Sequence, residues 1–242
     1  MPDPELPIWK RSERGARGPA PEHSRASLAV AAIELADAEG LKAVSMRKVA
    51  AAVGIAPASL YRYVANRDEL LALMADACLA SLELPATPTG AGWRRDLLEI
   101  AQALRTAYRE HPWFLELAMS GRLNAAMLGP ASIDYTERVL GALAEVPASG
   151  RTKMETSAIF NGVVALFAMD EASSVSNTSP EAQLANAAFL AERVTDGRHP
   201  HLAAILAVPP PEDALARKQA DDLFGRVVVN IVSGLLGVPP ES

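Results

Sequence analysis

Three residues in one short stretch constrain this chain more than any bulk property. They are Ala50, Gly54 and Leu60 in "SMRKVAAAVGIAPASLYRYVANRDELL", Ser45 to Leu71. Spacings of four and six residues suit two short helices that cross at a tight turn. A small residue lets the second helix approach, a glycine reverses the chain without a Cβ clash, and an apolar residue on the second helix faces back. Met46 and Val49 extend the inner face and Ile55 fills the turn. With Leu60 inward, Ser59, Tyr61, Arg62 and Tyr63 are left on sides that can face outward.

Around this motif the chain reads as helices and loops. Ser24 is an N-cap for a helix carrying Leu28, Ala31, Ala32, Leu35 and Ala36 at helical spacing, and Gly40 stops it. Ser45 caps the second helix. Pro57 opens a third, expected to run to about Tyr63, and Asn66 caps a fourth with Asp68 and Glu69 in its first turn, expected over 67–83. Beyond "LPATPTGAGW", helices are predicted over 92–110, 112–121, 130–145, 150–174, 180–196, 200–207 and 212–236, punctuated by "VPASG", "SNTSPE" and "VPPPED". No run alternates like a strand. The expected fold is all-α: a three-helix helix-turn-helix domain over 23–70, continuing into the linking helix 67–83, and a larger helical domain over 84–242. Residues 1–22 hold five prolines and no helical period, and read as a flexible basic arm with Lys10, Arg11, Arg14 and Arg17.

The net charge of −6 at first opposes a nucleic-acid partner, but its distribution does not. Residues 1–67 carry ten Lys/Arg against seven Asp/Glu, and residues 68–242 carry 13 against 22. The single cysteine, Cys78, excludes an internal disulfide and a cysteine-based zinc site, and its apolar helical setting makes it inert core. The N-terminus has no apolar secretory segment. The longest uncharged run, 156–169, is shorter than the roughly 20 residues that span a bilayer. A cytoplasmic protein with no membrane contact is expected.

Catalysis finds no residues to stand on. His23, His111, His199 and His201 offer no metal-ligand spacing, and the neighbouring carboxylates Asp170-Glu171 and Asp221-Asp222 point in different directions on a helix. There is no nucleophile elbow, phosphate loop or dinucleotide fingerprint. We expect no enzyme, no cofactor and no metal site.

The stretch "LKAVSMRKVAAAVGIAPASLYRYVANRDELLALM" resembles the TetR family of transcriptional regulators over residues about 24–71. A looser likeness to the tetracycline-repressor subgroup's C-terminal domain rests on "GW", "REHPWF", "GP" and "NGVVALFAMDE" at helix positions. The resemblance implies a recognition helix from Pro57 to Tyr63 lying in the major groove of double-stranded DNA. Pro57, Ala58, Ser59 and Arg62 then stand at or near base-facing positions, and Tyr61 and Tyr63 where the family touches phosphates or thymine methyls. Arg67 stands where the family generally has a phosphate-binding Lys. Arg47 and Lys48, beside the amide donors of the second helix, suit phosphate. Two departures are Ala56, where the family often has a capping Ser or Thr, and Val64, where it often has Phe. The arm has two readings, a solvated tail or a minor-groove or phosphate contact.

The resemblance further implies a homodimer on a palindromic operator, through a four-helix bundle built from helices near 150–174 and 212–236. Both are apolar round more than one face, with Gly162, Gly225 and Gly234 permitting close approach. It implies a ligand-binding domain enclosing a small, apolar effector. Met74, Trp93, Trp113, Phe114, Met119, Phe160, Phe167 and Phe189 are candidates to line the pocket, with His111, Asn124 and Asn161 as polar anchors. The function expected is a ligand-released repressor. The rival is a small-molecule-binding or sequestering protein with a vestigial DNA-binding head.

Overall fold

The computed structural model describes residues 6–11, 23–84, 86, 88–122, 128–175, 179–195, 197–207 and 213–239. Among them are eleven α-helices and no strand: α1 Arg25–Glu39, α2 Met46–Ala52, α3 Pro57–Leu60, α4 Arg67–Ala80, α5 Trp93–Glu110, α6 Pro112–Met119, α7 Pro130–Ala142, α8 Gly150–Val175, α9 Pro180–Thr195, α10 Pro200–Leu206 and α11 Asp213–Leu236.

The helix starts follow the capping chemistry. Ser24 Oγ accepts from Ser27 N at 3.1 Å while Ser24 N donates to Ser27 Oγ at 2.9 Å, a reciprocal box. Ser45 Oγ accepts from Lys48 N at 3.3 Å, and Asn66 Oδ1 from Glu69 N at 2.9 Å. α3 starts on Pro57 with no side-chain cap at Ala56. It is also shorter than expected. Arg62 N and Tyr63 N reach back only three residues, to Ser59 O and Leu60 O at 3.2 and 2.9 Å, so the chain tightens into a turn after Leu60 and brings Val64 into the core.

The chain divides into two units, residues 1–169 with 228–242, and residues 170–227. In the first, α4 packs against α1, α6 and α7, so this helix touches elements on both sides of residue 84. Leu28, Leu60, Met74, Ile100, Trp113 and Phe160 are among its fully enclosed side chains. Every residue from Leu70 to Ala75 is buried, so α4 is covered all round at mid-length. Cys78, one turn on, is buried too. Burial, and then the charge of Asp37, pushes its thiol up to about 12, which leaves it protonated and unreactive at neutral pH. Asp76 on α4 caps α7, with Oδ1 accepting from Ser132 N at 3.0 Å. The approach requires Gly129, where a Cβ would collide with that carboxylate.

The second unit holds α9 and α10, which pack on each other, with the adjoining parts of α8 and α11. None of the described side chains of α9 and α10 is buried. No helix of the described residues is long and apolar enough to cross a membrane.

Residues 6–11 depart from the flexible arm expected over 1–22. Ile8–Lys10 form a single 3-10 turn, with Ile8 and Arg11 buried. Arg14 and Arg17 lie outside the described residues.

Candidate nucleic-acid interface

The turn between α2 and α3 is set by backbone geometry. Gly54 takes φ +73°, its N–H donates to Ala51 O at 3.1 Å, and Ile55 N donates to Ala50 O at 2.9 Å. This pair of bonds is the Schellman closure of a helix. A Cβ on Gly54 would meet nothing within 4 Å, so the left-handed φ alone demands the glycine. Ala50, Leu60 and Val64 are completely buried. Pro57, Ala58, Tyr61 and Arg62 stay exposed, with Ser59 and Tyr63 half-buried. α3 and its exit turn therefore present two rings, a guanidinium and a hydroxyl to solvent from a backbone anchored at both ends.

The other basic candidates separate into two kinds. Arg47 and Lys48 are exposed on the first turn of α2, and the Lys48 ammonium lies 2.6 Å from Glu39 Oε2, an exposed pair that a phosphate can replace. Arg67 is different. Its Nε donates to Val44 O at 2.7 Å and its Nη2 to Leu41 O at 2.8 Å, so its fork holds the loop before α2. The structure thus gives Arg67 a role in holding this loop, beside the phosphate contact that the resemblance implies. Arg67→Ala should then cost about 1–3 kcal/mol of stability. A lost phosphate contact would also lower the salt slope of DNA binding by about one, and a role in the loop alone would preserve it. Urea unfolding and a salt titration of DNA affinity measure the two effects separately.

Behind α3 lies a set of supports that sequence reasoning missed. Arg25 Nε donates to Tyr63 O at 3.1 Å, and Arg25 Nη1 to Ile8 O and Arg11 O at 2.9 and 2.6 Å. Glu69 Oε2 accepts from Ala65 N at 2.7 Å, and Glu69 Oε1 pairs with the buried Arg11. All but the Ala65–Glu69 bond join residues far apart in the chain. The local signal was a short apolar cluster, Leu6, Ile8 and Trp9, among the prolines and charges of the arm.

Among the described residues, the expected ligand residues have several different surroundings. Met74, Trp113, Phe114 and Phe160 are core. Trp113 Nε1 donates to Asp37 Oδ1 at 2.7 Å, and His111 Nδ1 lies 2.8 Å from the same oxygen, so both tie α6 and its leading residue to α1. Phe114 packs on Tyr108 and Trp113, with ring centroids 5.1 and 5.8 Å away. Asn161 Oδ1 accepts from the Tyr135 hydroxyl at 2.6 Å, and burial holds that phenol well above its ordinary range, so it remains a donor. Trp93 is half-buried with the Arg94 guanidinium 4.4 Å above its ring. Phe167 is half-buried, Met119 exposed, and Phe189 is 64% exposed in the second unit. Asn124 lies outside the described residues.

Two clefts border these residues. One of about 850 Å³ runs along the outer side of α5, with Glu83, Glu99, Gln102, Thr106, Glu110 and His111 in its walls. Another of about 400 Å³ lies between α4 and α7, beside Asp76, Asp134, Tyr135 and Arg138. Of the eleven ligand residues expected from sequence, His111 is the one that borders either among the described residues. The walls of both clefts mix carboxylates with apolar side chains, Leu82 and Leu84 among them in each.

Comparison with known proteins agrees with this architecture. Residues 28–74 match the bacterial regulatory proteins of the tetR family, and residues 84–238 match the tetracyclin repressor-like C-terminal domain. A transcriptional repressor of the helix-turn-helix type from Streptomyces coeruleorubidus, DrrR1, is 41% identical over 133 residues, 55% of this chain and 48% of that repressor. The chain thus spans about half the length of that curated relative. Among solved structures, the Streptomyces coelicolor TetR family protein ActR in complex with (S)-DNPA superposes with a TM-score of 0.68 at 26% identity, covering 90% of this chain and 98% of that one. BioQ with its double-stranded DNA operator superposes with a TM-score of 0.52 at 26% identity, covering 62% of this chain and 88% of that one.

Proposed function

The chain belongs to the TetR family of bacterial regulatory proteins, and on that premise we propose that it is a ligand-responsive repressor that binds a palindromic operator as a homodimer. Members of this family are DNA-binding transcription factors, not enzymes. The observation that carries the reading is the exposed set Pro57, Ala58, Tyr61 and Arg62, held between the buried anchors Leu60 and Val64 on a glycine-closed turn. Arg62 is the side chain best suited to read a base, because its fork matches the two acceptors on the guanine edge.

A homodimer is supported by an uncovered stripe on α8. Ile159, Gly162, Leu166 and Met169 recur at helical spacing and are exposed, while Phe160, Val164 and Ala168 on the same helix are buried. On α11, Ile231, Gly234 and Leu235 are exposed beside the buried Val228 and Val232. Added Cβ atoms at Gly162 and Gly234 would meet nothing within 4 Å, so these glycines leave room on the outer face. A second copy seated there would bring two recognition helices to half-sites about 34–36 Å apart.

Ligand response is supported by ActR, which has been solved with small molecules bound, and by three ties between head and body in this chain. Asp37 holds His111 and Trp113, Asp76 caps α7, and Asp68 pairs with Arg122 at 3.3 Å. A ligand that moved α6 or α7 would be felt by α1 and α4, with coupling of about 1–3 kcal/mol.

Selection from random duplex DNA at about 0.15 M salt tests the reading. A recovered palindrome with two short half-sites is expected. Arg62→Ala should then weaken that site by about 1–3 kcal/mol and relax preference at one position. Binding that ignores sequence would overturn the assignment of α3 as a reader.

A further inference from the structure

We propose that Ile8–Arg11 is a clip that holds the exit turn of the recognition helix, and that Arg25 is the positioning residue through which it governs sequence reading. The proposal rests on the assignment of α3 as the DNA-reading helix.

The exit turn needs such a device. α3 has only four residues, and the chain after Leu60 runs as a turn to Asn66 before α4 begins. Tyr61, Arg62 and Tyr63 sit in that turn, outside any regular helix. Their position thus depends on what binds the turn's free backbone groups. Two of those groups are held by side chains. The carbonyl of Tyr63 accepts from Arg25 Nε at 3.1 Å, and the N–H of Ala65 donates to Glu69 Oε2 at 2.7 Å.

Both holding groups are closed from behind by the N-terminal segment. The guanidinium of Arg25 donates to the carbonyls of Ile8 and Arg11 at 2.9 and 2.6 Å. A rigid planar fork that spans three carbonyls fixes their relative positions as no flexible ammonium does. The other oxygen of Glu69 pairs with Arg11. The segment is seated by Ile8, 4% exposed, and by Arg11, 6% exposed. No nitrogen of the Arg11 guanidinium has a well-formed hydrogen bond in the structure, so the Glu69 carboxylate is what balances its buried charge. Undocking the segment would release Glu69 and Arg25 together, and with them both sides of the turn.

The basic charge of this stretch thus acts in a way opposite to a phosphate arm. Arg11 points into the protein, and residues 8–11 act on DNA through a preorganised reading surface rather than by touching it. When the turn is loose, its ordering is left to the moment of binding, and affinity falls most for the site that demands one geometry.

The test uses the full-length protein and the selected operator, beside a scrambled duplex, across a salt series. Ile8→Ser removes the anchor without changing charge. Arg25→Lys keeps the charge and loses the fork, and leaves the core intact should Ile8→Ser fail to fold. Ile8→Val is the conservative control. Both disruptive variants should lower the ratio of operator to scrambled affinity roughly tenfold. The salt slope on scrambled DNA should be unchanged, the Ala65 amide should exchange with solvent faster, and Ile8→Val should behave as the parent. An unchanged ratio in Arg25→Lys overturns the proposal. So does an equal loss on both duplexes with a lower salt slope, which would make residues 8–11 a phosphate-contacting arm. If the parent shows no operator preference, the reading of α3 fails, and the Ala65 exchange rate alone decides whether the clip exists.

Discussion

Replacing Trp113 with alanine is expected to remove about 3–5 kcal/mol of stability. Against the 5–15 kcal/mol that holds a typical domain together, that brings the protein to the edge of unfolding. The side chain is fully enclosed, and its ring packs on Phe114 and His111. Its loss opens a cavity that the surrounding α-helices, pinned on several sides, cannot close. It also strips Asp37 of the N–H that it accepts beside His111. Trp113→Phe separates the contributions, because it retains most of the apolar bulk and removes only the N–H. It should cost about 1–3 kcal/mol, the value of a hydrogen bond to a charged group. The urea midpoint at constant slope measures both. A double-mutant cycle with Asp37→Ala should show a coupling of about 0.5–3 kcal/mol for Trp113→Phe. A coupling near zero would remove Asp37 as a tie between α1 and α6.

The second large effect is predicted at Leu166, which stands 52% exposed in the apolar stripe of α8. Leu166→Glu should leave the fold of the isolated chain intact, since the side chain is already half exposed there. In the proposed dimer it would place two carboxylates in an apolar seam, where an unpaired charge is strongly unfavourable. The expected result is a monomer by sedimentation with unchanged helicity. Operator affinity should fall about 10²- to 10⁴-fold, because the second half-site is no longer delivered at high effective concentration. A variant that stayed dimeric and bound operator normally would move the interface off this stripe. Leu166→Ala, which keeps the surface neutral, should fall between the two.

Local patterns made most of the helices legible. Ser24, Ser45, Pro57, Asn66, Gly92 and Pro112 each mark a helix start through a cap or a fixed φ, and Gly40 marks a stop. These signals act within four residues, which is why one sequence suffices to read them. The end of α3 was misplaced because the turn at Tyr61–Tyr63 is tightened by burial of Val64, a tertiary effect that helical spacing does not record. Arg67 illustrates a second limit. Its position at the start of α4 suggested a phosphate, yet its fork is used by two carbonyls more than 20 residues away in the chain. The aromatic residues show a third limit. Core packing and pocket lining use the same side chains, and composition does not distinguish a filled volume from an empty one. What the sequence did carry for the reading surface was its alternation of small, inward and outward residues, because the helix-turn-helix is a local object.

The buried thiol on α4 has a consequence for how this molecule can be observed. Cys78 is the chain's lone sulfhydryl, chemically silent while α1 and α4 stay together beside Asp37. Any event that parts those two helices, whether an inducer, a warm bath or a loosening substitution, unmasks one atom of unique reactivity. The unmodified protein therefore carries a built-in stopwatch. The pace at which a thiol reagent consumes it, with operator or candidate inducer added or withheld, counts how often the DNA head lets go of its support.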